Sequence, residues 1–164
     1  MSRAYVIMGV AGSGKTTVGQ ALAGRLGVPF YDGDDFHPPE NVARMSAGVP
    51  LTDADREPWL ERLHDLIADH LARDATVVIA CSALKQSYRA QLRAGNAGLC
   101  IVYLAGDMDL INARLSRRAG HFMKAEMLQS QFDALEPPSP QNAIIVAVDQ
   151  DVETIVDKII EYER

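Results

Sequence analysis

The chain has 164 residues, 48% of them hydrophobic and 23% charged, and a formal net charge of −6. A chain of this size suits one domain, and its acidic balance disfavours a nucleic-acid-binding protein, which more often has a basic face. No apolar run approaches the roughly 18 residues of a membrane span, and no signal peptide is recognisable. We therefore expect a cytoplasmic protein with neither a nucleic-acid partner nor a membrane partner.

Short apolar runs alternate with helical patterns along the chain. The apolar runs predict five strands, over residues 4–8, 29–32, 76–81, 99–105 and 142–148. Apolar residues at helical spacing predict helices over residues 16–27, 51–74, 86–94, 108–118, 124–135 and 151–163. Strands this hydrophobic, separated by helices, predict a doubly wound α/β domain whose parallel sheet is covered on both faces.

Three local features refine this prediction. Thr52 and Asp55 resemble a capping box for the third helix, whereas residues 38–48 are compatible with either helix or irregular structure. Cys81 and Cys100 lie in apolar runs without metal-binding spacing, which indicates buried free thiols.

The sequence GVAGSGKT, from Gly9 to Thr16, matches the phosphate-binding pattern G-x-x-x-x-G-K-[ST] between a predicted strand and a predicted helix. Glycines let backbone N–H groups turn toward phosphate oxygens, and the helix start adds partial positive charge. We expect Lys15 to reach the β- and γ-phosphates and the Thr16 hydroxyl to bind Mg²⁺. The pattern therefore predicts a nucleoside triphosphate site.

An acid that orients the metal or the nucleophile is expected at the end of the second strand. The chain has no base-reading N-K-x-D, as in GTPase switches, and its third strand ends without the carboxylate typical of larger ATPases. Because ligands gather at the carboxyl ends of parallel strands, we assign Asp34 as the base that orients an acceptor hydroxyl and Asp32 to the outer shell of the metal. The alternative is that these aspartates only cap the next helix. His37 is a candidate donor to the same hydroxyl.

Cationic residues recur at predicted strand ends and helix caps: Arg44, Arg56, Lys85, Arg89, Arg114, Arg118 and His121. If a helix begins near Lys85, Lys85 and Arg89 share a helix face, because they are four residues apart. Arg114 and Arg118 have the same spacing. Two basic clusters in an acidic protein indicate a ligand with two anionic ends, a triphosphate and a carboxylate-bearing acceptor. For any single cation a solvated surface position is the alternative, and we favour it for Arg117.

Several segments in one order resemble gluconate kinase of the short P-loop type: GVAGSGKTTVG, DGDDFHPPEN, PLTDADREPWL, CSALKQSYR, GHFM and SQFDALE. The resemblance covers roughly residues 5–138. It implies a nucleoside-kinase-like α/β fold with a five-stranded parallel sheet in the order 2-3-1-4-5, helices on both faces and a helical lid. In a single kinase domain of residues 1–164, the substrate-binding insert would span about 36–58 and the lid about 114–135. In that strand order Cys81 and Cys100 should not meet.

The resemblance also implies ATP and Mg²⁺ as cofactors, transfer of the γ-phosphate to the 6-hydroxyl of D-gluconate, and a homodimer. The residues expected to bind the nucleotide are Gly9, Val10, Ala11, Gly12, Ser13, Gly14, Lys15, Thr16, Thr17, Arg114 and Arg118. Those expected to contact the acceptor are Asp34, His37, Arg44, Lys85, Arg89 and His121. The expected catalytic residues are Asp34, Lys15 and Arg118, the expected metal-side residues Thr16 and Asp32, and the loop near Asp149 is expected to lie against the adenine.

Three other interpretations are weighed against this one. A shikimate-type kinase is disfavoured because its third strand typically ends in glycines, whereas this one ends in ACSALK. A nucleoside monophosphate kinase is disfavoured because the Asp34/His37 pair stands where a base-binding pocket would be. A catalytically silent nucleotide-binding regulator is disfavoured because Lys15, Thr16, Asp34 and Arg118 are all intact.

Overall fold

The structure is a computed structural model, and it describes residues 1–117 and 125–163. The strands are β1 (Ala4–Met8), β2 (Phe30–Asp32), β3 (Val77–Ala80), β4 (Leu99–Ala105) and β5 (Ala143–Ala147). The helices are α1 (Lys15–Leu26), α2 (Pro39–Ser46), α3 (Asp53–Ala72), α4 (Gln86–Arg93), α5 (Met108–Arg117), α6 (Ala125–Ala134) and α7 (Val152–Tyr162). A 3₁₀ turn, Gly33–Phe36, follows β2 directly.

The five strands form one parallel sheet in the order β2-β3-β1-β4-β5. This confirms the predicted strand order. Each predicted strand is present, with ends that differ by at most one residue, as is usual at element boundaries. The undecided stretch 38–48 forms α2, which begins with a proline in its first turn.

The hydrophobic core lies on both faces of the sheet because successive side chains of a buried strand point to opposite sides. Ile7 of β1 packs with Leu22 of α1 and Ile155 of α7 on one face. Its neighbour Val6 packs on the other face, with Trp59 of α3 and others. All five residues of β1 are buried, which explains the unbroken apolar run in the sequence.

Local capping follows the sequence closely. The Thr52 side chain accepts from the Asp55 N–H while the Asp55 carboxylate accepts from the Thr52 N–H, so the predicted capping box is confirmed. Helix α1 ends at Gly27 in the left-handed conformation, with φ of 68°.

Cys81 and Cys100 are both free thiols, and β1 separates β3, which Cys81 follows, from β4, which contains Cys100, as expected. Cys81 is buried and Cys100 is half-buried. Within residues 1–117 and 125–163, no helix has the length and apolar character to cross a bilayer.

Candidate active site

The phosphate loop connects β1 to α1 and adopts the conformation that its glycines predict. Gly12 and Gly14 have φ of 81° and 95°, in the left-handed region where a side chain is strained. Lys15 Nζ donates to the carbonyls of Gly9 and Val10, at 3.0 and 3.1 Å. The ammonium group is therefore folded back over the loop, at the place where phosphate oxygens would lie.

One group of this loop indicates that it is built for a ligand, and another ties the loop to α6. The hydroxyl of Ser13 is buried and, in the part of the chain that the structure describes, has no hydrogen-bond partner. A buried polar group of this kind is costly unless something satisfies it, and a phosphate oxygen would do so. The N–H of Ala11 donates to Gln131 Oε1, at 2.6 Å. Gln131 lies on α6 within the SQFDALE segment, and sequence reasoning assigned it no role.

A cleft of about 440 Å³ lies beside the loop and extends to the start of α7. It is lined by Gly12, Ser13, Gly14, Thr17, Val18, Arg114, Arg117, Gln150, Asp151, Val152 and Ile155. Its volume is in the range of small-molecule sites. Arg114 donates to the carbonyl of Val148, at the end of β5.

Two arginines of α5 lie beside the phosphate loop. Arg114 lines the cleft described above, and so does Arg117, which we had interpreted as a solvated surface cation. Arg117 is exposed, so the two descriptions are compatible, but its position next to the phosphate loop was not predicted. Arg118 and His121 lie outside the described residues.

The turn after β2 holds Asp34 at the carboxyl edge of the sheet. Asp32 Oδ1 accepts from the Asp34 N–H at 3.0 Å, so Asp32 does cap this turn, as the alternative interpretation proposed. The indole N–H of Trp59 donates to the Gly33 carbonyl at 2.7 Å. A Cβ on Gly33 would lie 2.6 Å from the Ala80 carbonyl oxygen, so only glycine allows the turn to approach β3 this closely.

Asp34 lies within electrostatic range of Lys15 on the phosphate loop. The Asp34 side chain is 77% exposed. Its pKa is raised because the surrounding protein desolvates it and because Asp32 carries like charge nearby, while Lys15 opposes the shift. A carboxylate with a raised pKa is a better proton acceptor. Cys81 lies beneath these charges, and burial raises the pKa of its thiol to about 12.

His37 stands beside Asp34, as the sequence predicted. Its ring is buried and stacks on Trp59, with ring centroids 4.3 Å apart and an interplanar angle of 16°. Nε2 lies 4.0 Å from Asp34 Oδ1. Burial, together with the positive charge of Arg56, lowers the pKa of His37 to about 4. The imidazole is therefore neutral at pH 7, so it can donate to a ligand but contributes no charge.

A cationic cluster lies at the start of α3 and α4. Lys85 Nζ is 3.1 Å from Asp53 Oδ1, and the Tyr88 hydroxyl donates to the same carboxylate. The Arg56 guanidinium lies 5.6 Å from the centre of the Tyr88 ring, and Lys85 Nζ lies 5.7 Å from it. Arg56 was noted as a cation in the DREPW segment but was not assigned to the acceptor. Because the charge of Arg56 lowers the pKa of His37, Arg56 must lie close to the acceptor side of the site.

Arg89 and Arg44 both have partners within the protein. The Arg89 side chain is buried, 6% exposed, and donates to the carbonyls of Ala83, Leu84 and Glu136. Its charge is therefore directed at the protein backbone, which does not support a contact with the acceptor. Lys85 and Arg89 do not share a helix face, because Lys85 is the non-helical N-cap of α4. Arg44 is half-exposed and pairs with Asp55.

The residues expected near the metal fit a magnesium ion held largely by phosphate. Thr16 is exposed in the first turn of α1, and Asp32 is half-buried at the end of β2. Across residues 1–117 and 125–163, no group of three or more His, Cys, Asp or Glu side chains could hold a metal. Mg²⁺ commonly takes only one or two protein ligands and completes its shell with phosphate oxygens and water, so this sparse donor set suits it.

Comparison with known proteins places these features in context. A family model described as shikimate kinase matches residues 11–163. The probable gluconokinase of Mus musculus is 47% identical over 174 residues, covering 95% of this chain and 95% of that protein. The gluconokinase of Gluconobacter oxydans (strain 621H) is 44% identical over 161 residues, covering 98% of this chain and 90% of that protein.

Solved structures agree with the sequence relatives. The crystal structure of a gluconokinase from Sinorhizobium meliloti 1021 matches with a TM-score of 0.87 and 43% identity, over 97% of this chain and 90% of that one. A shikimate kinase from Aquifex aeolicus vf5 matches with a TM-score of 0.61 and 18% identity, over 98% of this chain and 95% of that one. At this low identity, the likeness to the shikimate kinase shows a shared fold and nothing more.

Proposed function

Because this chain belongs to the gluconokinase family, we propose that Asp34 orients and deprotonates the 6-hydroxyl of D-gluconate for attack on the γ-phosphate of ATP. The chain also belongs to the wider family that the shikimate kinase model describes. It is an ATP-dependent kinase that phosphorylates gluconate, giving 6-phospho-D-gluconate and ADP. The observation that carries the proposed role is the position of Asp34, at the edge of the sheet and within electrostatic reach of Lys15 on the phosphate loop.

Two comparisons favour gluconate over shikimate as the acceptor. Curated gluconokinases of organisms as different as Mus musculus and Escherichia coli are 44–48% identical to this chain over most of its length. The shikimate kinase from Aquifex aeolicus shares only 18% of its residues with this chain, although the folds correspond. The shared fold supplies the phosphate loop and the sheet edge, whereas the acceptor is selected by side chains around Asp34.

On the nucleotide side, the phosphate loop and the cleft next to α7 would hold ATP. Lys15 leaves the loop carbonyls and pairs with the β- and γ-phosphates, and the Ser13 hydroxyl gains a partner. Mg²⁺ bound at the Thr16 hydroxyl, with Asp32 in its outer shell, would neutralise phosphate charge. The start of α7 lines the cleft beside the phosphate loop. We therefore also propose that the adenine occupies this end of the cleft and that the loop near Asp149 contacts it.

On the acceptor side, the hydroxyl proton passes to Asp34 as the bond from O6 to the γ-phosphorus forms and the bond from that phosphorus to the β,γ-bridging oxygen breaks. ADP leaves with the electron pair of that bond. His37 donates a hydrogen bond to the polyol. Lys85 and Arg56 are the cations best placed for the carboxylate, because both lie beside Tyr88 at the starts of α4 and α3 and neither is directed into the core as Arg89 is.

Two further segments would contribute to substrate binding and to closure of the site. The substrate-binding insert of about 36–58 contains α2 and the start of α3, and the lid of about 114–135 contains α6 and the end of α5. Arg114 and Arg118 would close over the phosphates, His121 would reach the acceptor, and closure would exclude water from the transfer. We also retain the homodimer and the cytoplasmic location as proposals.

The proposal is tested by measuring ADP release with D-gluconate, shikimate and a panel of other sugar acids. We expect turnover with gluconate that depends on Mg²⁺, and turnover with shikimate lower by orders of magnitude. Phosphorus NMR of the product would show whether the phosphate is on the 6-position. Equal turnover with several acids would contradict the substrate assignment, and ATP binding without turnover of any acid would favour a regulator.

A further inference from the structure

Asn41 is a buried polar residue that the proposed reaction does not use. It lies on α2, four residues after His37, and is 2% exposed. Its Nδ2 donates to the Asp55 carbonyl oxygen at 2.8 Å. Because a carbonyl oxygen can only accept, this bond fixes which end of the amide carries the N–H groups.

The same amide nitrogen lies 3.2 Å from Nδ1 of His37. An amide nitrogen has two N–H groups and no acceptor, so with one given to Asp55 the other is directed at the imidazole. Nδ1 of His37 must therefore accept, and a neutral imidazole that accepts at Nδ1 carries its proton on Nε2. The buried hydrogen bonds of Asn41 thus determine the tautomer of His37.

The protonated nitrogen of His37 is the one that faces Asp34. Stacking on Trp59 holds the plane of the ring, and Nε2 lies 4.0 Å from Asp34 Oδ1. That distance is too long for a direct hydrogen bond. It does allow one hydroxyl oxygen to lie about 2.8 Å from both atoms, receiving a hydrogen bond from His37 and giving one to Asp34.

We propose that Asn41 is a positioning residue that fixes His37 as a neutral Nε2–H donor, so that a polyol hydroxyl of the acceptor is held between that donor and the Asp34 carboxylate. The identity of the hydroxyl rests on the proposed function, whereas the tautomer of His37 does not. A donor and an acceptor facing one point select a group that can both give and receive a hydrogen bond, which is a property of a hydroxyl.

The surroundings of His37 keep the ring uncharged. The charged groups that face it are Asp34 from its own turn and Arg56 from α3, while α2 presents the neutral Asn41. Burial and Arg56 both lower the pKa of the imidazole. Asn41 acts in the same direction, because an imidazolium would turn an Nδ1–H toward the N–H of the amide.

The tautomer can be read directly by long-range ¹H–¹⁵N correlation NMR of the full chain labelled with ¹⁵N, with His37→Gln used to assign the signals. We expect a protonated Nε2 and a bare Nδ1 at every pH between about 5 and 8. A protonated Nδ1, or a titration of His37 near its ordinary pKa, would overturn the proposal. This spectrum requires neither a variant nor gluconate turnover, so it stays informative if the proposed function fails.

Asn41→Asp tests the positioning role in the kinase reaction. The isosteric carboxylate only accepts, so the neutral ring must carry its proton on Nδ1 and present a bare Nε2 to the acceptor. We expect KM for gluconate to rise on the order of tenfold as the pH rises through the pKa of His37 in this variant, with KM for ATP unchanged. Tyr162→Phe, at the exposed end of α7, should keep the KM and the tautomer of the unsubstituted chain. An Asn41→Asp protein whose KM for gluconate does not vary with pH would refute the role.

Discussion

The indole nitrogen of Trp59 donates a hydrogen bond to the carbonyl oxygen of Gly33 at 2.7 Å, and this bond ties α3 to the turn that carries Asp34. The same indole ring stacks on His37. One buried side chain therefore positions both residues that we assign to the acceptor hydroxyl. The turn is held from the opposite side by its close approach to the end of β3.

Gly33→Ala should displace Asp34 without unfolding the protein. The new Cβ would lie 2.6 Å from the backbone oxygen of Ala80, so the turn has to move away from β3. A displacement of about 1 Å at a reacting group can lower turnover on the order of 10²-fold. We expect a fall in kcat of that size, with little change in the dissociation constant of ATP measured by fluorescence titration.

Gly24→Ala is the matched control for this substitution. Gly24 lies in the interior of α1 without a positive φ, and a Cβ added there would meet no atom of another described segment within 4 Å. Alanine should therefore fit and add about 0.5–1 kcal/mol of stability. Unchanged turnover in Gly33→Ala would mean that the turn can shift without moving the carboxylate.

Asp34→Asn should lower kcat by a factor on the order of 10² or more, because an amide cannot accept the hydroxyl proton. ATP binding should be retained, since the phosphate loop is unchanged. In the unsubstituted protein, kcat/KM should fall as the pH is lowered through the raised pKa of Asp34, because the base must be ionised. The measurement is initial-rate kinetics as a function of pH.

Asp35→Asn is the control for the aspartate substitution, since Asp35 is the exposed neighbour on the same turn. We expect it to keep near-normal turnover. If Asp34→Asn also retained near-normal turnover, Asp34 would not be the base, and the acceptor would have to be oriented by another group.

The buried His37 should make the protein less stable in acid. Its folded pKa of about 4 lies below the unfolded value near 6.5, so below pH 6.5 the unfolded state binds the proton first. The free energy of unfolding contributed by His37 is therefore complete above pH 6.5 and is lost as the pH falls toward 4, by at most about 3 kcal/mol. Urea denaturation of the chain and of His37→Gln, compared at pH 7 and pH 4, measures this difference.

The pKa of His64 is shifted in the opposite direction from that of His37, so its effect on stability has the opposite pH dependence. Hydrogen bonds to the Ala94 carbonyl and to Asp65 raise the pKa of His64. Its contribution is present below the unfolded pKa and is lost as the pH rises through the folded one. His64→Gln should therefore not relieve the acid destabilisation. A His37→Gln protein that loses stability in acid as steeply as the unsubstituted chain would show that the imidazole titrates normally.

Gln131→Ala should loosen the phosphate loop in the absence of ATP. The Ala11 N–H donates to Gln131 Oε1 at 2.6 Å, and its loss leaves that amide without the bond. We expect hydrogen exchange at Ala11 to accelerate on the order of tenfold in the nucleotide-free protein. Gln129→Ala is the control, because Gln129 lies on the same helix and its side chain bonds to Asp133 instead of the loop. Equal exchange in both variants would show that Gln131 does not hold the loop.

Some features of the site followed from local sequence. The glycines of the phosphate loop, the capping box at Thr52 and the glycine that ends α1 depend on residues within a few positions of one another. Asp34 was found because a carboxylate after an apolar strand must emerge at one edge of the sheet. Its neighbour His37 followed for the same reason.

Cationic side chains were harder to place. Arg89 was expected to contact the acceptor, but the carbonyls of Leu84 and Glu136, from two different segments, turn its guanidinium inward. Arg117 was interpreted as a surface cation and is exposed, but the packing of α5 also brings it to the cleft beside the phosphate loop. A long side chain can reach in several directions, and the spacing of charges along a helix does not reveal which carbonyl or cleft is nearest.

By itself, the amino-acid sequence determined the strands and helices, the shape of the phosphate loop and the edge at which Asp34 emerges, because backbone sterics and the alternation of apolar residues act over short stretches of chain. Only the tertiary structure decided that Gln131 meets Ala11 across 120 positions, that Trp59 supports Gly33, and that Asn41 contacts the ring of His37. These contacts depend on how separate helices and strands pack, and the spacing of residues within one element does not determine that packing.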